Sequence, residues 1–378
     1  MLTHQRIVVL HNIVSPYKTV LFNELYKICR GLIVLYIAET ETSREWNIEK
    51  NNIKFPYEIM FKGALDYSGS LKSIIKTWRR LNSLNPDVII ISGYAHVTCW
   101  AGFLWAKSYR KKVILWSASN QHDRDRSFLK EKLKGFFVKR CDAANVYGKR
   151  SKDYVAKLGM NPNKILIKGN VTDNFFYYTK TMEARTVKVA LCKQFNVPSH
   201  NFVYIGRFST EKNLLFLLNA YAELDTDDWG LILVGNGPLG KDIASYIRRH
   251  AIENVFLPGF KQKEEIPQYL AVSDVFVLPS ISETWGLVIN EAMASSLPVL
   301  ISNRCGCYPD LIKEGVNGFS FDPFNQRELF TIMKEIVNGK HDLIKMGRAS
   351  LEIIKEYNPE KAAKIIVETI RFVLSDHK

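Results

Sequence analysis

Paired cysteines at metal-binding spacing are missing from this chain of 378 residues. Four of the six cysteines stand singly, and the other two, Cys305 and Cys307, are too close together for a zinc knuckle. No second pair lies near them in the sequence that could complete a metal site. We therefore predict reduced thiols, no structural zinc and a cytoplasmic protein.

Long hydrophobic runs are also scarce. The apolar stretch near the start is too short for the hydrophobic region of a secretory signal peptide. Residues 88–106 carry no charged side chain, but Gly93 interrupts them after a β-branched run. A buried strand, a loop and a helix fit this segment better than a membrane span. We predict at most a peripheral association with the inner face of a membrane.

Positive charge, by contrast, is abundant. Lys and Arg number 52 against 38 Asp and Glu, which gives a net charge of +14. Such a surplus attracts nucleic acid, an acidic membrane surface or phosphorylated substrates. Charge alone does not choose among these three partners.

Short β-branched segments alternate with helical patterns along the chain, except over residues 171–200, where no clear strand pattern is found. Such alternation predicts parallel sheets with helices on both faces, and the length suggests two domains. We therefore predict an α/β protein with two Rossmann-like, doubly wound domains facing each other across a cleft. The expected parts are residues 1–175, residues 176–358 and a C-terminal helix, 359–378, that crosses back to the first domain.

The predicted elements give the positions of the loops where ligands should bind, outside the carboxyl ends of the strands. The predicted helices span residues 17–29, 71–84 and 97–108 in the first series and 214–224, 241–250, 264–271, 287–295, 326–338 and 359–374 in the second. The predicted strands are 6–13, 32–37, 87–91 and 112–116 in the first series and 201–205, 231–234, 255–257, 275–278 and 299–301 in the second.

The strongest local pattern is residues 282–294, which follow a predicted strand and open a predicted helix. Glu283 precedes the helix and Glu291 lies about one turn inside it. The first N–H groups of a helix carry partial positive charge, and Gly286 lets an anion approach them. The segment predicts a phosphate site flanked by two carboxylates, which accept hydrogen bonds from sugar hydroxyls. On spacing alone, a surface helix that carries two glutamates is the alternative.

A second loop, residues 206–213, also follows a predicted strand and opens a helix. Its Arg207 and Lys212 can both reach one diphosphate, the arginine as a planar fork and the lysine as a point charge. In isolation, an ordinary solvated basic loop is the alternative.

Together these segments resemble family 4 of the retaining glycosyltransferases, which have the GT-B fold. The shared features are a Gly-Arg loop with a nearby lysine, a Gly-x-Gly-Pro turn and two glutamates eight positions apart. Here they are Gly206-Arg207 with Lys212, Gly235-Asn236-Gly237-Pro238, and Glu283 with Glu291. The early Ser15-Pro16-Tyr17 loop resembles one branch of that family. The resemblance is specific over residues 201–322 and loose before residue 170.

The resemblance implies a role for each matching residue. Arg207 and Lys212 would bind the donor diphosphate and offset the charge on the leaving phosphate. Glu283 would bind hydroxyls of the transferred sugar, and Glu291 the nucleotide ribose. Further donor-binding positions are implied at Gly237, Phe260, Gly286, Leu287 and Val288.

The implied activity is that of a retaining hexosyltransferase in cell-surface polysaccharide or glycolipid synthesis. The donor would be a nucleotide-sugar, with UDP favoured, and the acceptor a saccharide or a lipid-linked saccharide. No metal or separate cofactor is expected, because arginine and lysine supply the positive charge. The family commonly has a histidine after the fourth N-terminal strand. Here His122 comes a few residues late, so its catalytic role is a hypothesis.

Two other functions compete with this one. A nucleotide-sugar epimerase on the same scaffold would need acid and base residues in the first domain, and no convincing set is found. A basic nucleic-acid-binding protein would suit the charge, but no helix-turn-helix, RNA-recognition or zinc pattern is present. We therefore expect no nucleic-acid partner.

Three motifs are weak. Residues 235–240 match the dinucleotide fingerprint G-x-G-x-x-G, but the acidic residue expected about 20 positions later is missing. The two D-x-D matches, residues 123–125 and 225–227, are best interpreted as solvated turns.

The stretch 124–140 combines seven basic residues with an apolar stripe formed by Leu129, Leu133, Phe136 and Phe137. A helix of this kind can lie on an anionic membrane surface, which would suit a lipid-linked acceptor. A core helix with a solvated basic back is the alternative, and the sequence leaves both open.

Overall fold

The computed structural model describes residues 5–41, 50–65, 71–121 and 128–375. Contacts divide the chain into two compact units. The first contains the residues up to Thr172 together with those from Pro359 onward, and the second is Asp173–Asn358. Each unit is built around its own parallel sheet.

The first unit has a seven-stranded sheet within the described residues. Its strands are β1 (Ile7–Ile13), β2 (Leu32–Thr40), β3 (Tyr57–Ala64), β4 (Val88–Ser92), β5 (Lys112–Ser117), β6 (Ala143–Val146) and β7 (Ile165–Ile167). The order across the sheet is β3-β2-β1-β4-β5-β6-β7, and all neighbours are parallel. The helices described up to residue 172 are α1 (Pro16–Ile28), α2 (Leu71–Leu84), α3 (Val97–Ser108), α4 (Phe128–Lys139) and α5 (Lys149–Lys157).

The apolar run of β4 explains the position of that strand at the centre of the sheet. Its residues from Val88 to Ile91 are fully buried, as expected where helices cover both faces of a parallel sheet. The strand order reverses between β1 and β4. In such sheets this reversal opens a crevice at the carboxyl ends of the two strands.

The last helix of the chain, Pro359–Ser375, packs on the first unit. It contacts α1 and strands β5, β6 and β7. One buried hydrogen bond joins it to the sheet, from Asn145 Nδ2 to Thr369 Oγ1 at 2.7 Å. Its apolar stripe thus covers the strands at one side of the sheet.

The second unit has a six-stranded parallel sheet. Its strands are β8 (His200–Ile205), β9 (Trp229–Val234), β10 (Val255–Gly259), β11 (Val275–Leu278), β12 (Val299–Ser302) and β13 (Gly318–Phe321), in the order β10-β9-β8-β11-β12-β13. The helices are α6 (Asn174–Arg185), α7 (Lys188–Phe195), α8 (Leu214–Ala222), α9 (Gly240–Arg249), α10 (Ile266–Ala271), α11 (Leu287–Ala294), α12 (Tyr308–Leu311), α13 (Gln326–Val337) and α14 (Leu343–Ile354). Here the strand order reverses between β8 and β11, so a ligand is expected at their carboxyl ends.

The predicted class, two Rossmann-like α/β domains with parallel sheets, is confirmed. Residues 88–106 form β4, a loop and most of α3, as expected. Within the described ranges, no helix has both the length and the apolar character needed to cross a bilayer. Residues 171–200, where no strand was expected, contain the two helices α6 and α7. All six cysteines lie within the described residues, are buried and form no disulfide.

Candidate functional site

The loop after β8 contains the two predicted diphosphate-binding cations. Its backbone is fixed at the start, because the Tyr204 hydroxyl donates to the Arg207 carbonyl at 2.8 Å. The loop then makes one 3-10 turn and ends at Asn213 in the left-handed region. Arg207 is left exposed, whereas the Lys212 side chain keeps only 17% of its surface accessible.

Lys212 and Glu283 form an ion pair, although they lie 71 residues apart in the sequence. Glu283 belongs to the loop after β11, and β11 pairs directly with β8, so the two loops leave the same edge of the sheet. A backbone hydrogen bond between the loops, from Ile281 N to Glu211 O at 2.9 Å, keeps them together. The structure therefore brings together two residues that the sequence had placed at one site.

The Gly235–Gly237 turn packs against the basic loop. Phe208 N donates to Asn236 O at 2.8 Å, and Leu239 N donates to Phe208 O at 3.0 Å. A Cβ on Gly237 would lie 2.4 Å from the Phe208 carbonyl oxygen. These glycines therefore allow a close approach of two backbones, which explains the G-x-G-x-x-G match without a dinucleotide.

Helix α11 begins at Leu287, and the residue before it, the N-cap Gly286, has a φ of +92°. No side chain caps this helix start in the described structure. The backbone N–H groups that follow, at Leu287 and Val288, belong to the polarised first turn that favours anions. The turn itself is held by Trp285, whose buried indole N–H donates to Asn290 Oδ1 at 2.9 Å.

Glu291 lies on α11 and is surrounded differently from Glu283. Burial raises its pKa to about 7, and a hydrogen bond with Tyr177 and the positive charge of Lys263 oppose the rise. Tyr177 comes from α6, in the stretch where the sequence showed no clear pattern. Sequence reasoning missed this partner, because only the folded chain brings α6 against α11.

The raised pKa of Glu291 predicts a pH-dependent stability. The folded protein binds this proton more tightly than the unfolded chain, so stability falls as the pH rises from about 4.5 through about 7. We expect Glu291→Gln to change the free energy of unfolding little at pH 4.5. At pH 8 the substitution should raise the free energy of unfolding by about 1–2 kcal/mol. This value is smaller than the pKa shift alone would give, because part of the Glu291 side chain stays accessible to solvent.

Urea unfolding of both proteins at the two pH values measures this difference. Glu352→Gln is the control variant, since 68% of the Glu352 side chain is exposed. A Glu291→Gln protein that is equally destabilised at both pH values would show that the side chain acts only through packing.

The other predicted positions are distributed as follows. Strand β10 continues through Gly259, so Phe260 comes directly after the strand and is 39% exposed. Gly235 N donates to Gly259 O at 2.9 Å, which places Phe260 just beyond the glycine turn. His122 lies outside the described residues, as do the motif 123–125 and the basic residues Arg124 and Arg126.

Part of the chain is similar in sequence to known glycosyltransferases. Residues 193–366 match the family model described as glycosyl transferases group 1. The sulfoquinovosyl transferase SQD2 of Arabidopsis thaliana is 33% identical over 159 residues, which are 41% of this chain and 30% of that protein. The N-acetyl-alpha-D-glucosaminyl L-malate synthase of Bacillus anthracis is 28% identical over 226 residues, which are 58% of this chain and 57% of that protein. The chain thus spans less than two thirds of the length of these relatives.

Similarity in three dimensions extends over nearly the whole chain. The crystal structure of Anabaena Alr3699/HepE in complex with UDP aligns with a TM-score of 0.77 and 19% identity. The alignment covers 97% of this chain and 99% of the Anabaena chain. At this identity the alignment establishes the fold, which is GT-B, as the sequence resemblance implied.

Proposed function

We propose that this chain is a retaining glycosyltransferase that moves a sugar from a nucleotide diphosphate, UDP by preference, to a saccharide or lipid-linked acceptor. The observation that carries the proposal is the Lys212–Glu283 ion pair at the carboxyl ends of β8 and β11. Both residues lie within the region that matches the group 1 family model. The proposed setting is cell-surface polysaccharide or glycolipid synthesis.

The ion pair suggests how the donor is bound. A diphosphate offers Lys212 a stronger partner than one carboxylate, so the ammonium turns to the phosphate and releases Glu283. The freed carboxylate can then accept hydrogen bonds from sugar hydroxyls. The exposed guanidinium of Arg207 is available to bind a second phosphate oxygen.

Catalysis then rests on stabilising the leaving diphosphate. Negative charge builds on its oxygens as the bond between the sugar and the phosphate breaks. The positive charges of Lys212 and Arg207 and the N–H groups at the start of α11 stabilise that charge. Glu291 supplies the ribose contact. We propose that no metal takes part, because these cationic groups provide the charge that a metal would supply.

The test is a panel of nucleotides followed by a product assay. UDP should raise the thermal unfolding midpoint, with smaller effects from GDP and none from duplex DNA. With a UDP-sugar and acceptors, NMR should show a product that keeps the anomeric configuration, and EDTA should not stop its formation. If only DNA stabilised the protein, this result would contradict the proposal and favour a nucleic-acid-binding protein. Conversion of the donor into its epimer would favour the epimerase.

We also propose that α4 docks the first unit on an anionic membrane surface. Phe137, expected in the apolar stripe, instead packs in the core, where its ring stacks on Phe103 at 4.3 Å. The rest of the stripe faces outward: Leu129 is 75% exposed and Leu133 54%. Phe128 and Phe136 are exposed too. Exposed apolar side chains among lysines are the pattern of helices that lie in a lipid interface.

Removing this apolar surface should weaken membrane binding. We expect the double variant Leu129→Ser/Leu133→Ser to bind vesicles of anionic phospholipid at least about tenfold more weakly, because two leucines no longer enter the lipid. Vesicle co-sedimentation measures the effect. Ile344→Ser is the control, since Ile344 is 72% exposed but lies on the second unit. Equal binding to neutral and anionic vesicles would contradict the electrostatic part of the proposal.

A further inference from the structure

A pocket of about 330 Å³ opens in the first unit beside the loops that follow β1, β4 and β5. These loops surround the point where the strand order of that sheet reverses. The residues around the pocket include Ser15, Lys18, Trp116 and Ser117. None of them is among the donor-binding residues proposed above.

One buried lysine lines this pocket, and a second lies against the Trp116 and Tyr147 rings that line it. Lys18 lines it and is 2% exposed, and Lys168 is 3% exposed. The Lys18 ammonium donates to Tyr147 Oη and to Asn170 Oδ1, each at 3.0 Å. The Lys168 ammonium donates to the Gly169 carbonyl at 2.9 Å and lies 3.9 Å from the centre of the Trp116 ring.

The partners of both ammonium groups are neutral. Burial lowers the pKa of Lys18 to about 8, and Tyr17 opposes this shift. Burial, followed by the charge of Lys18, lowers the pKa of Lys168. Neither shift involves a carboxylate, although Glu41 is among the residues around the pocket. Within residues 5–41, 50–65, 71–121 and 128–375, neither ammonium has a hydrogen-bonded acidic partner. Buried cations with only neutral partners are unfavourable, and an anion in the pocket would relieve this cost.

His11 does not contribute to the positive charge of the pocket. Burial, together with the positive charges of Lys18 and Lys168, lowers its pKa to about 3. Its Nδ1 atom lies 2.5 Å from Ser92 Oγ. The imidazole is therefore neutral near pH 7, and Lys18 is the cationic group that lines this pocket.

Two hydroxyl groups and a helix start complete the site. Ser15 and Ser117 are buried at the pocket, and their side-chain oxygens have no hydrogen-bond partner in the described structure. Ser15 precedes the 13-residue helix α1, makes no capping bond and is followed by Pro16. The positive end of that helix therefore points to the same place as Lys18.

We propose that this pocket binds a phosphate group of the acceptor, with Lys18 as its ionic contact and Ser15 and Ser117 as hydrogen-bond donors. The inference deepens the proposed function, because it gives the acceptor a chemical class. The phosphate could belong to a lipid carrier or to a soluble sugar phosphate. Both share the group that these residues recognise.

Isothermal titration with inorganic phosphate, glucose 1-phosphate and farnesyl phosphate tests the inference. The titrations are run with saturating UDP and repeated in an Arg207→Ala background, so that phosphate contacts in the second unit do not contribute. We expect binding in both settings. Lys18→Met should weaken it about tenfold or more, as for loss of a charge-assisted hydrogen bond. Lys54→Met, which removes an exposed lysine, should change nothing. Tighter binding of farnesyl phosphate indicates a lipid carrier, and tighter binding of glucose 1-phosphate a soluble acceptor.

Thermal unfolding of Lys18→Met separates recognition from folding. Removal of this buried cation, whose partners in the described part of the chain are neutral, should raise the unfolding midpoint in phosphate-free buffer and reduce the gain on adding phosphate. If Lys18→Met does not fold, Ser117→Ala takes its place in both measurements. Unchanged phosphate affinity in the variant, or loss of phosphate binding when UDP is added, would overturn the inference. Failure of UDP to bind the wild-type protein would refute the proposed function, while the Arg207→Ala titration would still report on the pocket.

Discussion

Lys212→Met should lower kcat for sugar transfer about a hundredfold or more, and weaken UDP binding about tenfold. The reason is that the ammonium is expected to neutralise charge that grows on the leaving diphosphate, so its loss affects the transition state more than the bound donor. Steady-state kinetics with a UDP-sugar and titration with UDP measure the two effects separately. A fall in UDP affinity with an unchanged kcat would contradict the catalytic part of this role.

The controls for Lys212→Met use its own partner and a distant lysine. Lys180→Met removes another lysine of the second unit, one that forms a surface pair with Glu183 and is 53% exposed, so it should leave both parameters unchanged. Glu283→Gln and the double variant complete a cycle with Lys212→Met. If Lys212 merely positioned Glu283, its substitution would have no further effect once Glu283 was replaced.

The strongly patterned elements could be predicted from the sequence almost to the residue. Helices α2 and α3 and strand β11 begin and end where expected, and β4 differs by one residue at each end. These segments have continuous apolar runs or clear helical stripes, bounded by polar or turn-forming residues. The local pattern and the final packing therefore favour the same structure.

The weakly patterned strands could not be predicted in this way. Strand β3 lies at the edge of the first sheet and is mostly exposed or half-buried, and β6 is a short Ala-rich segment. Strand β6 has little intrinsic strand preference, because alanine and asparagine are depleted in strands. Strand β3 contains the strand-favouring Tyr57, Ile59 and Phe61, but little of it is buried. Both form because a neighbouring strand, β2 or β5, offers a parallel hydrogen-bonding edge, which the sequence does not reveal.

The functional residues also differ in whether a local sequence pattern reveals them. Arg207, Lys212, Glu283 and Glu291 follow strands at recognisable spacing, so they could be selected from the sequence. The buried lysine Lys18 carried no such signal. Lys18 meets Asn170, 152 residues later, only because the loops of one sheet converge at its carboxyl edge. Contacts of this length depend on the completed fold.

Gly235→Ala should destabilise the protein by more than about 3 kcal/mol, because strain and a steric clash combine at this position. Gly235 has a φ of +147°, and a Cβ there would lie 1.9 Å from the Gly206 carbonyl oxygen. That atom belongs to the backbone and cannot rotate away as a side chain could. The ends of β8 and β9 would have to separate, which would also displace Arg207 and weaken UDP binding. Chemical unfolding and UDP titration measure the two consequences.

Gly339→Ala is the matched control for Gly235→Ala. Its φ of +70° is also unfavourable for alanine, but no atom lies within 4 Å of the added Cβ. The control should therefore cost only about 1 kcal/mol and leave UDP binding intact. Equal losses in the two variants would show that backbone strain alone explains the glycine at position 235. A larger loss at 235, accompanied by weaker UDP binding, would show that the close approach of the two loops is what places the diphosphate-binding residues.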